Sequence, residues 1–201
     1  MIHEVTLSEP ILTPKYVETR ELNLPINGEK VKVTFRASFE EHPELRDEIR
    51  VIRRQFFEEW LPLADALGVA HDGKTPRTFE VKEGEPGEMT AEEAGAWLRK
   101  KLIPHIQDYA VGAPSWFTTG MQALLRGDLP KEADRQKCLE GEAETAALLG
   151  WVAKQYGRET LVAVSQDCRR GFYDAEIWER FTHKTLEDLV KEYQGAAAAG
   201  K

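Results

Sequence analysis

The sequence predicts an α+β fold in which an N-terminal antiparallel β-hairpin, extendable to three strands, packs on a predominantly α-helical body. Three observations predict this fold class. The first 36 residues contain two short runs of alternating apolar and polar side chains, joined by an Asn-Gly pair. From Pro43 onward, the apolar residues recur with the 3.6-residue period of a helix. Residues that typically start and stop helices then recur as far as the C-terminus.

The hairpin is predicted over the segment ELNLPINGEKVKVTF. The Asn-Gly pair at residues 27–28 is the preferred pair for a two-residue type I′ turn, because both central residues need a positive φ. This turn places Leu24 opposite Val31 and Leu22 opposite Val33. These apolar pairs share one face of the hairpin, so we expect that face to pack on the core.

The clearest helix is predicted to begin at Pro43, which suits a first helical turn. Its apolar residues step by three or four positions and form one stripe: Leu45, Ile49, Ile52, Phe56 and Trp60. A proline inside a helix removes a hydrogen bond, so Pro62 is expected to kink or end this helix. Gly68 is a natural stop.

Five positions are suited to cap later helices: Thr90, Ser115, Asp128, Asp174 and Thr185. The sequence after Thr90 has the spacing of a capping box, and Pro104 is expected to bend the helix that follows. Asp128 predicts a long helix that runs to about Tyr156. The run TLVAV at residues 160–164 is consistent with either a strand or a helix.

These elements divide the chain into a β-rich head, residues 1–38, and a helical body, residues 39–195, which we expect to form one domain. Residues 70–89 are polar and rich in Gly and Pro, so they are predicted to be a flexible loop. Within that loop, the run TFEVK at 78–82 can add a strand. Residues 196–201 are predicted to be a disordered tail.

The composition indicates a globular protein. The chain of 201 residues carries a formal charge of −8. It is 41% hydrophobic and contains five Trp, five Tyr and eight Phe, and this apolar and aromatic content excludes global disorder. Its two cysteines, Cys138 and Cys168, provide neither a disulfide framework nor a four-ligand zinc site. The sequence has no run of apolar residues long enough to span a membrane and no signal-peptide pattern at its start. We therefore expect a cytoplasmic protein without a membrane partner.

No P-loop, dinucleotide fingerprint, nucleophile elbow or HExxH zinc motif occurs in the sequence, so we expect neither a cofactor nor a metal. The leading functional hypothesis is a non-enzymatic subunit or assembly factor of a larger complex, with other protein subunits as its partners. A hairpin edge, an arginine-lined helix and five Trp residues offer surfaces for such contacts.

The residues predicted to bind a partner are four arginines of the first helix and two later aromatic residues: Arg46, Arg50, Arg53, Arg54, Trp116 and Phe117. Few acidic residues stand four positions before the arginines, which leaves them able to face a carboxylate, a phosphate or a partner chain. The second functional hypothesis is therefore a small subunit of a nucleoprotein complex that contacts phosphates through this helix. The structural alternative is a solvated or intramolecular arginine face.

Trp116 and Phe117 follow Pro114 and Ser115 at the start of a short helix, where it is hardest to bury both rings. An aromatic ring exposed there would anchor an interface, because aromatic residues are enriched at binding hot spots. The structural alternative is that both rings belong to the core.

The third functional hypothesis is an enzyme with a dispersed site, in which Cys168 and His183 form a thiolate–imidazole pair. Either Asp167 or Asp174 would orient the imidazole. The structural alternative is a half-buried cysteine and a surface histidine near a helix cap. Two further pairs have the spacing of shared metal ligands, Glu179 with His183 and His105 with Asp108, but neither has a third ligand and a local hydrogen bond explains each.

Overall fold

The computed structural model describes residues 11–24, 28, 30–69, 77–87 and 89–196. Its sheet contains β1 (Lys15–Asn23), β2 (Lys30–Ser38) and β3 (Thr78–Val81), in the spatial order β1-β2-β3. β1 and β2 are antiparallel, whereas β3 lies parallel to β2. The predicted α+β fold class is confirmed, and the third strand comes from the run predicted at residues 78–82.

The predicted hairpin register is wrong by two residues. Leu22 lies opposite Val31, and Arg20 lies opposite Val33. The connection therefore spans residues 24–29, and the amide of Gly28 (φ +69°) donates to the carbonyl of Leu24 at 2.8 Å. The other central residue of the predicted turn lies outside the described residues. A shift of two residues keeps every side chain on its predicted face, so the apolar pattern alone cannot fix this register.

The helices fill the rest of the chain. Their bounds are α1 (Arg46–Ala66), α2 (Ala91–Gln107), α3 (Ser115–Arg126), α4 (Glu142–Tyr156), α5 (Arg158–Arg170), α6 (Glu176–Thr182) and α7 (Leu186–Gly195). A short 3₁₀ helix, Pro43–Leu45, leads into α1. α1 continues through Pro62 for one more turn before Gly68 (φ +62°), and α2 continues through Pro104.

The inner face of the sheet packs on α1 through aromatic rings. The centroid of the Phe56 ring in α1 lies 5.6 Å from that of Phe35 in β2 and 5.7 Å from that of Phe79 in β3. All three rings are buried. The odd-numbered residues of β2 that share this face are buried as well, which matches the alternation predicted for a sheet with one face on the core.

Of the five predicted helix caps, Thr90 and Thr185 are confirmed. Ser115 is the first residue of α3, whose N-cap is Pro114, and Asp174 precedes Ala175, the N-cap of α6. Thr90 and Glu93 form the predicted capping box, and Thr185 accepts a hydrogen bond from the amide of Asp188. Asp128 caps no helix, because α4 begins only at Glu142, so the long helix predicted from Asp128 is wrong. The segment between them contains a 3₁₀ turn and has Cys138 as its buried hydrophobic residue, so it lacks the apolar stripe that would hold a helix on the core.

The run at residues 160–164, which the sequence left open between strand and helix, forms part of α5. Its buried residues Leu161, Val164 and Cys168 recur with helical spacing. Helices α3 and α4 pack closely, since Gly120 lies against Thr145 and Leu124 against Gly150.

Candidate interaction surface

Two turns meet at one end of the helical body. The first connects α2 to α3 and contains Asp108 (φ +38°) and Gly112 (φ +102°). The second follows α5, where Gly171 (φ +74°) adopts the left-handed conformation that commonly ends a helix. There the amide of Phe172 donates to the carbonyl of Asp167 at 2.9 Å, which closes the turn.

Hydrogen bonds join the first turn and the end of α2 to the last turn of α5. The amide of Ala110 donates to the carbonyl of Cys168 at 3.1 Å. The Arg169 side chain donates to the carbonyl of Ile106 at 3.2 Å. A Cβ atom placed on Gly171 would lie 3.4 Å from the Cβ of Ala110, so the two turns pack closely at this point. The turns are therefore fixed relative to each other; we call them the turn pair, residues 108–113 and 171–173.

The turn pair presents two apolar side chains to solvent. Val111 is fully exposed, and Phe172 is 74% exposed. Each directly follows one of the two residues at which the turns pack closely, Ala110 and Gly171. Because the turns are already ordered, a partner that covers these side chains would not have to order them. A rigid, exposed phenylalanine is the type of residue that anchors protein interfaces.

A charged residue borders the turn pair. Arg170, at the end of α5, is exposed, and no ion pair links it to another residue within the described ranges. Arg180 of α6 pairs instead with Asp167, at 3.2 Å. Arg170 is therefore able to pair with a carboxylate on a partner that covers Phe172.

The four arginines of α1 do not form one outward surface. Arg53 is only 5% exposed and donates to the Glu18 carboxylate on β1, as well as to the hydroxyl of Tyr16 at 3.2 Å. Arg50 pairs with Asp47 at 2.7 Å, three residues earlier. Arg46 and Arg54 are exposed. The intramolecular alternative thus applies to Arg53.

Glu18 stands at the centre of a charged cluster between β1 and α1, which we call the Glu18 cluster: Tyr16, Glu18, Arg20 and Arg53. Burial alone would raise the pKa of the Glu18 carboxyl, but hydrogen bonds from Arg53, Tyr16 and Arg20 outweigh burial and lower that pKa to about 2. Glu18 is therefore ionised at neutral pH. The cluster connects the hairpin to the helical body and engages the nearly buried Arg53 within the chain.

The two aromatic residues predicted as interface anchors lie in and beside the core. Phe117 is fully buried, and Trp116 is half-buried. Both rings pack on Trp178 of α6, with centroid distances of 6.1 Å. The core alternative therefore holds for Phe117, and the ring stacked on Trp178 leaves Trp116 only partly accessible.

The structure does not bring Cys168 and His183 into a hydrogen-bonded pair. Cys168 is fully buried in α5, and burial raises the pKa of its thiol to about 12, which disfavours the nucleophilic thiolate. His183 is exposed at the end of α6. Asp167 pairs with Arg180, and Asp174 accepts from the amide of Glu176 at 3.1 Å.

The other histidine pairs take local roles. The amide of His183 donates to the carbonyl of Glu179 at 2.9 Å, which closes the end of α6. His105 packs edge-to-face on Phe79 with a centroid distance of 5.8 Å. In the part of the chain that the structure describes, no three His, Cys, Asp or Glu side chains are grouped to hold a metal.

Sequence reasoning missed Val111 and Phe172. Neither lies on an apolar stripe. Each stands next to a glycine in a short turn, where the period of a helix or strand gives no signal. The neighbouring Gly112 and Gly171 were the only local signal, since they mark tight turns. That the two turns meet depends on tertiary contacts between α2 and α5.

Comparison of the chain with protein-family models, with curated proteins and with solved structures finds no match. Across the described ranges, no helix combines the length and the apolar character needed to cross a bilayer. A function is therefore inferred from the geometry and chemistry of this chain alone.

Proposed function

We propose that this protein is a non-enzymatic subunit or assembly factor of a larger complex, and that it binds another protein through the turn pair. The observation that carries the proposal is the exposure of Val111 and Phe172 on two turns that pack together, with the amide of Ala110 bonded to the carbonyl of Cys168 at the end of α5. Single exposed apolar residues are common on protein surfaces. Here two of them stand on turns that pack together, so we expect one partner surface to cover both.

The chemistry of the turn pair indicates what the partner provides. Phe172 and Val111 fit an apolar pocket, and the exposed Arg170 beside them fits a carboxylate at the rim of that pocket. We therefore expect another protein subunit with an apolar pocket bordered by acidic residues. Contacts at the rim would add specificity, while the phenylalanine would supply most of the affinity.

The experiment compares three forms of the tagged, full-length protein in affinity purification from its native cells at low salt. They are the wild type, the double variant Val111→Ser/Phe172→Ser and the control Leu129→Ser. Leu129 is an apolar residue, 52% exposed, that follows α3 and lies outside the turn pair. We expect one stoichiometric protein partner with the wild type and the control, and about ten-fold less or none with the double variant.

The variants remain folded in this design, because exposed side chains contribute little to stability. Thermal unfolding of all three proteins checks this point. The proposal fails if the three forms recover the same partner equally. It also fails if none of them recovers a stoichiometric protein and the wild type elutes as a monomer.

A further inference from the structure

The outer edge of β3 is a strand edge that no described strand pairs. β3 is the last strand in the spatial order of the sheet. The amide of Thr34 in β2 donates to the carbonyl of Arg77 at 2.7 Å, which sets the parallel ladder. Alternate residues of a parallel strand direct their main-chain groups to opposite sides. Phe79 therefore faces β2 with its main chain, and Glu80 presents its N–H and C=O to the outside.

Glu80 is the residue of this edge whose main-chain N–H and C=O can pair with an added strand. His105 of α2 contacts the main chain of Thr78, two residues earlier. The carbonyl of Lys82, two residues later, accepts from the amide of Glu85 at 3.0 Å. Within the described ranges, no main-chain hydrogen bond from outside the sheet reaches Glu80. An added strand would thus exchange its pair of hydrogen bonds with this residue.

A cleft of about 370 Å³ lies between β3 and α2, directly beside this edge. Its aromatic walls are Phe79, Trp97 and His105. The Phe79 ring meets the rings of Trp97 and His105 edge-to-face, at centroid distances of 6.4 and 5.8 Å. The volume falls in the range of ligand pockets and accommodates one large apolar side chain.

A charged bridge borders the cleft and holds its aromatic wall. The ammonium group of Lys101 lies 3.2 Å from the Glu85 carboxylate and 5.7 Å from the centre of the Trp97 ring. The bridge connects α2 to the segment that follows β3. Trp97 is therefore held in position at the cleft before any ligand binds.

We propose that the edge of β3 and this cleft bind an extended segment of a partner protein, which adds a fourth strand beside β3 and places one large apolar side chain against Phe79 and Trp97. Unpaired main-chain groups in strand geometry are recognised by another extended backbone, which supplies the matching acceptor and donor. In this mode the backbone gives affinity and the cleft gives sequence preference. The site uses none of the residues of the turn pair.

The decisive variants change one main-chain group. Glu80→Pro removes the outward N–H of residue 80, and the ladder bonds to β2 remain because they use Phe79 and Val81. The matched control Glu80→Thr removes the same carboxylate but keeps the N–H. Trp97→Ala removes the wall of the cleft. Thermal unfolding verifies that each variant is folded.

The probe is a pool of short random peptides displayed on phage and selected on the full-length wild-type protein. We expect the selected peptides to carry a large apolar residue and to bind the wild type and Glu80→Thr equally. Binding to Glu80→Pro and to Trp97→Ala should be at least about ten-fold weaker. Hydrogen exchange of the wild type should show that bound peptide slows the amide of Glu80.

Three results would overturn this inference. The first is that selection on the wild type enriches no peptide. The second is that the enriched peptides bind Glu80→Pro as tightly as they bind Glu80→Thr. The third is that bound peptide protects the turn pair and leaves β3 unchanged. If Glu80→Pro does not fold, the test rests on two other measurements: the affinity of the peptides for Trp97→Ala and the hydrogen exchange of the Glu80 amide. Unchanged affinity together with unchanged exchange would then overturn the inference. None of these results depends on the partner expected at the turn pair, so either proposal can fail without the other.

Discussion

Two junctions between elements of the fold, one between β1 and α1 and one between α3 and α6, are held together by different interactions. Where β1 meets α1, the Glu18 cluster places an ionised carboxylate and the nearly buried Arg53 between the two elements. Where α3 meets α6, the buried rings of Phe117 and Trp178 pack directly on each other, and the Trp178 indole N–H donates to the hydroxyl of Tyr173 at 3.3 Å. The first junction depends on charge pairing and the second on apolar area.

The two junctions therefore contribute different properties: the charged one fixes an arrangement, and the aromatic one adds stability. A buried ion pair contributes little net stability over an apolar replacement, but it strongly penalises any arrangement that separates the charges. The ion pair of Glu18 with Arg53 therefore fixes the position of the hairpin on α1. The aromatic junction contributes stability in proportion to the area it buries, with no comparable penalty for small shifts. The free energy of unfolding should thus respond differently at the two junctions to truncation of one residue, to replacement of the interacting side chains and to pH.

The largest effect is expected from Trp178→Ala. Trp178 is fully buried between Trp116 and Phe117, so truncation removes a large apolar area and leaves a cavity. We expect the free energy of unfolding in urea to fall by about 3–5 kcal/mol. The conservative variant Trp178→Phe should recover a large part of this loss, because it retains an aromatic ring. Equal losses in the two variants would show that the ring contacts do not determine stability here.

Arg53→Ala should have the next largest effect. We expect it to lower the free energy of unfolding in urea by about 3 kcal/mol. The variant leaves the Glu18 carboxylate partly buried without its main cation. Arg54→Ala is the matched control, since Arg54 is the exposed neighbour in the same helix, and it should change stability by less than about 0.5 kcal/mol.

A double variant separates this junction from the aromatic one. Arg53→Met combined with Glu18→Leu replaces both charges with apolar side chains of similar volume, so it should recover most of the stability lost in Arg53→Ala. A double variant that is as unstable as the single one would indicate that the charges themselves hold the hairpin on α1.

The same comparison explains what the sequence could and could not predict. Period and capping predicted the fold class, the stripe of α1, the capping box at Thr90 and the strand at residues 78–82, because these depend on neighbours along the chain. The hairpin register differed because a shift of two residues preserves both faces, as Leu22 and Val31 show. The helix predicted from Asp128 was wrong because a cap residue cannot by itself hold a helix without an apolar face.

The site depended on contacts between distant segments, which a single sequence does not contain. Arg53 was predicted to face outward, since no acidic residue precedes it at helical spacing, yet its partner is Glu18, 35 residues earlier. The turn pair depends on the contact of Ala110 with Gly171. In both places, local chemistry identified residues capable of an interaction, and only the fold determined which interaction they make.

The helical body should also be sensitive to added volume. A Cβ atom at Gly120 would lie 2.3 Å from Cγ2 of Thr145, so Gly120→Ala forces α3 and α4 apart and should lower the free energy of unfolding by about 1–3 kcal/mol. Gly150 is the control in the same helix pair, because its Cβ would lie 3.5 Å from Leu124, an ordinary contact. Gly150→Ala should be neutral or stabilise by up to about 1 kcal/mol. Equal effects of the two substitutions would contradict this packing.

The smallest effect, and the one that only the charged junction should show, is a response to acid. The pKa of Glu18 is lowered from 4.5 to about 2 in the folded protein. Between these values the unfolded chain binds a proton at Glu18 that the folded protein does not, so stability falls as the pH is lowered from about 4.5 towards 2. The effect should be smaller than that of Arg53→Ala, because protonation leaves the side chain in place and Glu18 is partly exposed. Urea unfolding of the wild type and of Glu18→Gln between about pH 4.5 and 2 isolates the contribution of Glu18, since all other carboxylates are common to both proteins. The wild type should lose stability more steeply than Glu18→Gln, and parallel curves would mean that ionised Glu18 does not stabilise the junction between the hairpin and α1.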